Sequence, residues 1–190
     1  MRPLPPDKQE LSGRQSFTNN RLPFINNRRF SERFMLYVYA LQAALIVLSA
    51  FLGVWRVFSL AVRVLLFCGV YAVHELLHLA VIWRTGDISI THSGIFLWIT
   101  PGATLSKRRF FMFMSLPLLA LTAAPAFVLL LGAERLGGTA FDLIKYSACV
   151  NAIIAGADII NSILIAIKPR AAMFRRGYYT IPDKKEEQNG

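Results

Sequence analysis

Four long apolar runs alternate with polar connections along the chain. We predict membrane-spanning helices over residues 35–54, 59–83, 110–131 and 141–167. As a helix, about 20 apolar residues measure about 30 Å, which is enough to cross the hydrocarbon core of a bilayer. The pattern therefore predicts an all-α membrane protein with four transmembrane helices.

The connection between the second and third runs has a different period. Apolar and polar residues alternate over 88–91, Gly94 follows, and aliphatic and aromatic residues alternate over 95–99. A period of two indicates strands, and glycine favours the turn between them. We therefore predict a β-hairpin within residues 84–109, on the cytoplasmic side of the second and third spans.

Lysine and arginine are distributed unevenly between the connections. The polar arm of residues 1–34 has seven of them, residues 84–109 have four, and the tail of residues 168–190 has six. The positive-inside rule then places both termini in the cytoplasm of a multi-pass protein of the cell membrane. We expect the basic arm and tail to contact anionic lipid head groups, outside the membrane domain of residues 35–167.

Composition narrows the class of protein further. The 190 residues are 55% hydrophobic and have a mean hydropathy of +0.46, whereas soluble domains are about 45–50% apolar. Although the net charge is +10, the basic residues flank the apolar runs and form no separate domain, so we do not predict nucleic-acid binding. Cys68 and Cys149 lie in apolar runs without CxxC spacing, and we interpret them as packing residues.

A His-Glu-Leu-Leu-His motif at residues 74–78 interrupts the second apolar run. Histidines four residues apart lie on one face of a helix, so His74 and His78 can bind the same metal ion. The intervening Glu75 is the residue type that HExxH zinc hydrolases use as the general base for water. A shuffled chain of this composition would contain the motif with a probability of about one in a thousand. We therefore predict a zinc site with Glu75 as the catalytic base.

A catalytic zinc needs a third protein ligand, because such sites take three and leave one position for water. We predict Asp158, which lies in the fourth run at a depth similar to that of His74 and His78; alternatively, it only pairs helices by hydrogen bonding a histidine. His92 in the hairpin is the rival ligand. Asn151, on the same helical face as Asp158, is a candidate donor to a substrate carbonyl or oxyanion, or else forms an interhelical hydrogen bond.

These motifs carry a resemblance to known membrane proteins. An HExxH helix, a hairpin-like cytoplasmic connection and an Asn-x6-Asp spacing in a later helix are similar to the site-2-protease type of intramembrane zinc metalloprotease. The HELLH motif, the Leu-Ser-Lys-Arg-Arg-Phe segment before the span that contains Pro117, and the Gly156-Ala-Asp158 segment resemble more closely the small bacterial integral-membrane putative zincin peptidases. The resemblance covers residues 59–167 and does not extend to the arm or the tail.

The resemblance implies zinc as the cofactor, His74, His78 and Asp158 as its ligands, and Glu75 as the base. The prolines and the glycine that accompany the asparagine and aspartate in the larger proteases are absent, which weakens the case for Asn151 as a substrate-binding residue. We thus predict an integral membrane zinc metallopeptidase that cleaves a membrane-protein or membrane-proximal peptide substrate in or near the cytoplasmic leaflet. Two alternatives stay open: a non-catalytic zinc-binding protein that senses metal or recruits a partner, and a purely structural four-helix bundle.

Overall fold

The computed structural model describes residues 22–25, 28–85, 88–93, 96–132, 135–175 and 178–181, which are mostly helical. The helices are α1 (Arg28–Glu32), α2 (Phe34–Phe51), α3 (Leu60–Ile82), α4 (Lys107–Leu118), α5 (Ala124–Gly132), α6 (Gly138–Ile154) and α7 (Gly156–Ala166). A short 3-10 turn covers Val54–Arg56, and a π-helical turn, Leu119–Ala123, joins α4 to α5. The strands are β1 (Leu22–Pro23), β2 (Ile88–Ser93), β3 (Phe96–Pro101), β4 (Leu105–Ser106), β5 (Met173–Arg175) and β6 (Tyr178–Thr180).

Three helical segments of the described chain are long and apolar enough to cross a membrane. They are α2, α3 and the continuous run from α4 through the π-helical turn to α5. Their outer surfaces expose large apolar side chains, such as Leu130 at 83%. Exposed apolar surface on this scale suits lipid and would be unfavourable in water. The protein is therefore a membrane protein.

The fourth apolar run is two helices instead of the single helix that we predicted over residues 141–167. The axes of α6 and α7 meet at 63°, with the break at Ala155. At the break Gly156 lies against Gln42 of α2, and a Cβ at this glycine would be 2.8 Å from Gln42 Cγ. The side-chain amide of Gln42 also donates a hydrogen bond to the Ile153 carbonyl (3.0 Å). Helix α2 thus supports the bend, which places Asn151 and Asp158 on different helices.

The predicted hairpin is present as an antiparallel pair of β2 and β3, in which Ile90 lies opposite Ile99. It connects α3 to the segment that precedes α4. The cytoplasmic location of the hairpin stays a prediction.

A second sheet joins segments that are distant in the sequence and was not predicted. Its strand order is β1-β6-β5-β4, so residues from the arm, the tail and the segment just before α4 pair with one another. The aromatic rings of Phe24, Phe110, Phe174 and Tyr179 pack together beside it. Strands of two or three residues are too short to show a period in the sequence, which explains why a hydrophobic pattern does not predict them.

Candidate metal centre

Three potential metal ligands converge between α3 and α7. His74 and His78 lie one turn apart in α3, and Asp158 lies in the first turn of α7. The histidines are buried, and the Asp158 side chain is only 13% exposed. The bend at Ala155 sets the direction of α7, so the break in the fourth run contributes directly to this arrangement.

The converging atoms form a small triangle, which we call the acceptor triangle. Its corners are Nε2 of His74, Nε2 of His78 and Oδ2 of Asp158. Each histidine nitrogen lies 3.0 or 3.2 Å from the carboxylate oxygen, and the two nitrogens lie 3.2 Å apart. Tetrahedral zinc with bonds of about 2.0–2.1 Å holds its ligand atoms about 3.3 Å apart. The triangle therefore has the size that one zinc ion requires.

Hydrogen bonds at the other ring nitrogen orient both imidazoles. The Nδ1–H of His78 donates to the backbone carbonyl of Phe113 (2.6 Å), and that of His74 donates to Oδ1 of Asn151 (2.9 Å). A backbone carbonyl can only accept, so a neutral His78 carries its hydrogen on Nδ1 and a lone pair on Nε2. Metal-binding histidines characteristically make this second hydrogen bond.

The chemistry of the donor set fits a divalent metal. With hydrogens on both Nδ1 atoms, each corner of the acceptor triangle presents a lone pair. The three atoms face one another, and no hydrogen lies between them. Protonating one ring would place a single hydrogen in the triangle and leave the other ring without a donor to Asp158, and protonating both would place two cationic N–H groups 3.2 Å apart. A cation held by all three atoms removes the repulsion, and two imidazoles with one carboxylate are a known ligand set for zinc.

The carbonyl that orients His78 is available because of a proline. In an α-helix the Phe113 carbonyl would accept the backbone N–H of residue 117, but Pro117 has no N–H. The role of this carbonyl was not predicted from the sequence. Counting four residues back from Pro117 is the sequence signal that could have identified it.

Asn151 is fully buried, and its side chain is used entirely within the protein. Besides accepting from His74, its amide donates to the Pro117 carbonyl (3.0 Å) and to Oγ1 of Thr122 (2.9 Å). Thr122 belongs to the π-helical turn and donates in turn to the Ala148 carbonyl (3.1 Å). These are interhelical hydrogen bonds, the alternative considered for Asn151, and they use both hydrogens of its amide. A contact between Asn151 and a substrate stays a prediction.

A cavity of about 340 Å³ opens beside the acceptor triangle. Most of its wall is apolar and comes from α2, α3, α4 and the α6–α7 segment, with Ile99 contributed by β3. The polar side chains Gln42, Tyr71, Glu75 and Asn161 also line it. Glu75 is half-buried, and Tyr71, one turn earlier in α3, hydrogen-bonds to its carboxylate. The acceptor triangle and a candidate general base therefore face the same space.

A comparison with protein families matches residues 66–173, more than half of the chain, to a family described as "Putative zincin peptidase". The chain belongs to the putative zincin peptidase family. No match was found among curated proteins or among solved structures.

The zincin-peptidase match contains every residue of the acceptor triangle as well as Glu75, Pro117 and Asn151. It does not contain α2, so one wall of the cavity and the Gln42 support of the bend lie outside the matched segment. His92 lies within it, in β2, and pairs along the backbone with Leu97. The His92 side chain is outside the described part of the structure, so its role as rival ligand stays a prediction.

Proposed function

We propose that this protein is an integral membrane zinc metallopeptidase that hydrolyses a peptide bond in or near the cytoplasmic leaflet. The observation that carries the proposal is the convergence of His74, His78 and Asp158 next to Glu75 in one cavity. Membership of the zincin-peptidase family supports zinc as the metal and peptide hydrolysis as the reaction.

In this proposal His74, His78 and Asp158 hold the zinc. When bound, zinc supplies a Lewis acid that polarises the scissile carbonyl and activates water at neutral pH. Glu75 accepts a proton from the attacking water and returns it to the leaving amine. Tyr71 keeps the Glu75 carboxylate directed into the cavity through their hydrogen bond.

The cavity also indicates a class of substrate. Its wall is mainly apolar and includes Val38, Ile46, Phe67 and Met114, and its volume is in the range of ordinary ligand pockets. A peptide with apolar side chains on both sides of the scissile bond would fit this wall, whereas a charged side chain would lose its hydration there. We therefore propose membrane-protein segments or membrane-proximal peptides as substrates.

Replacing Glu75→Gln tests the proposal, since the variant keeps the shape of the side chain and removes its basicity. The purified chain is reconstituted in liposomes with a library of synthetic peptides of apolar or charged sequence, and products are identified by mass spectrometry. We expect the wild type to cleave apolar peptides and the variant to be at least about 100-fold slower. Zinc content, measured on the same preparations, should be one ion per chain in both.

The other outcomes each contradict the proposal in a distinct way. Equal zinc content without cleavage by either chain would favour the non-catalytic zinc-binding protein. If the wild type binds no zinc and the His78→Ala variant has the same zinc content as the wild type, the result would favour the structural bundle.

A further inference from the structure

A groove of about 400 Å³ runs along the outside of α3, on a different face from the histidines. We call it the lipid groove. It is lined by Leu76, Leu79, Ala80, Trp83, Arg84 and Arg109. It is separate from the cavity at the acceptor triangle, so a ligand can bind in it whether or not the metal centre is catalytic.

The lining of the lipid groove changes in character along the helix. Leu76, Leu79 and Ala80 form its apolar part, and Trp83 and Arg84 follow at the end of α3. At 1.5 Å per residue, Leu76 and Arg84 are about 12 Å apart along the axis. Tryptophan is enriched where hydrocarbon meets water. The groove therefore extends from the hydrocarbon region to the head-group level.

Two arginines from different helices meet at the polar end of the groove. Arg84 directly follows α3, whereas Arg109 is in the first turn of α4 and donates to the Val81 carbonyl through Nε (3.3 Å) and Nη2 (3.2 Å). These bonds hold the Arg109 guanidinium beside the groove. No acidic side chain lines the groove in the described part of the chain, so its positive charge is not balanced there.

We propose that the lipid groove binds an anionic phospholipid. Arg84 and Arg109 contact the head-group phosphate, which guanidinium groups recognise well. One acyl chain lies along Leu76, Leu79 and Ala80, and Trp83 packs at the boundary between chain and head group. Charge complementarity selects an anionic ligand, and the apolar-to-basic order selects a lipid over free phosphate, which would leave the apolar part of the groove unused.

Quenching of Trp83 fluorescence by brominated lipids tests this site. The full chain is placed in phosphatidylcholine vesicles that contain a minor fraction of phosphatidylglycerol, with bromine on the acyl chains of one lipid at a time. The difference between wild type and Trp83→Phe isolates the signal of Trp83 from that of the other tryptophans. We expect phosphatidylglycerol to be enriched at Trp83, by about fivefold for each arginine that contacts the phosphate.

Two charge-matched double variants separate a site from a general charge effect. Arg84→Gln/Arg109→Gln should abolish the preference for phosphatidylglycerol, whereas Arg170→Gln/Arg175→Gln, which removes two exposed cations elsewhere, should retain it. Arg84→Gln alone leaves the Arg109 contact with Val81 intact and should lower the preference about fivefold, even if the double variant does not fold. An unchanged preference in the groove variants, an equal loss in both double variants, or weak quenching of Trp83 by either lipid would overturn the proposal.

Discussion

At the scale of single residues, the candidate site depends on groups that the HExxH motif does not contain. Asn151 and the Phe113 carbonyl fix which nitrogen of each histidine faces Asp158. Both groups depend on Pro117. This residue has no N–H to donate to the Phe113 carbonyl, and its own carbonyl accepts a hydrogen bond from Asn151. A residue that normally only weakens a helix thus provides acceptors for the side chains around the metal site.

Replacing Pro117→Ala should weaken zinc binding although it restores a helical hydrogen bond. The new N–H would compete with His78 for the Phe113 carbonyl, and disturbing such an outer hydrogen bond typically lowers metal affinity about 10- to 100-fold. We expect a loss of about 10-fold, measured by competition with a zinc-chelating dye.

Pro125→Ala is the matched control for this substitution. Pro125 lies in α5 of the same membrane-length run, and its missing N–H concerns the carbonyls of the π-helical turn Leu119–Ala123 and not that of Phe113. Its replacement should leave zinc affinity unchanged. Equal affinities of the two proline variants would show that the Phe113 carbonyl does not depend on Pro117.

The ligand residues and their supports differ in how visible they are in the sequence. His74, His78 and Asp158 stand out because ionisable side chains in apolar runs are costly and mark function. The interhelical hydrogen bonding considered for Asn151 is present, but its partner His74 could not be predicted, because the apolar run over residues 141–167 predicts one helix with Asn151 on the same face as Asp158. Only the bend reveals that Asn151 contacts Nδ1 of His74, on the side of the ring opposite to Asp158. The sequence does not mark this bend, because Ala155 lies among apolar residues without a proline.

At the scale of elements, the break between α6 and α7 determines where Asp158 is held. Helix α7 begins at Gly156, two residues before the carboxylate, and α2 contacts the break through Gln42. Because α2 contains no histidine, cysteine or acidic residue, we infer that the first membrane helix stabilises the site without supplying a ligand.

Gly156→Ala should destabilise the protein, in contrast to the usual effect of this substitution in a helix. The new Cβ would lie 2.8 Å from Gln42 Cγ, so Gln42 must move and lose its bond to Ile153, at a cost of about 1 kcal/mol. In Gly69→Ala, within α3, the new Cβ has no atom within 4 Å, and helix propensity should stabilise the chain by about 0.5–1 kcal/mol.

Thermal unfolding in one detergent, followed by circular dichroism, compares the two alanine variants. We expect Gly156→Ala to melt below the wild type and Gly69→Ala at or above it. If Gly156→Ala melts as high as Gly69→Ala, the contact between α2 and the break does not stabilise the bend.

At the scale of the whole molecule, the small sheet connects short segments of the arm and the tail to the helices of the site. Strand β4 leads directly into α4, and its partner β5 follows α7 closely in the sequence. Helix α4 carries the carbonyl that orients His78, and α7 carries Asp158. The β4–β5 pair therefore links the two helices that must keep a fixed distance for the acceptor triangle to form.

Lys107 makes the most direct connection between these helices. Its backbone N–H donates to the Ala172 carbonyl (3.0 Å), and its ammonium group donates to the carbonyls of Ala166 (2.7 Å) and Lys168, at the end of α7. Carbonyls at a helix C-terminus have no donor within the helix and carry partial negative charge, so a lysine there stabilises the end. This single side chain thus joins the first residue of α4 to the last turn of α7.

Removing the ammonium group in Lys107→Met should therefore affect a metal site that Lys107 does not touch. We expect the loss of two charge-assisted hydrogen bonds to destabilise the protein by about 1–3 kcal/mol. A looser α7 should also lower zinc affinity severalfold, because part of the binding energy is then spent on ordering Asp158.

Arg108→Met removes the same charge from the next, exposed residue and should leave both the stability and the zinc affinity near their wild-type values. Thermal unfolding measures the stability of the two variants, and dye competition measures their zinc affinity. A Lys107→Met chain with lower stability but unchanged zinc affinity would show that the link between α4 and α7 does not set the distance between His78 and Asp158.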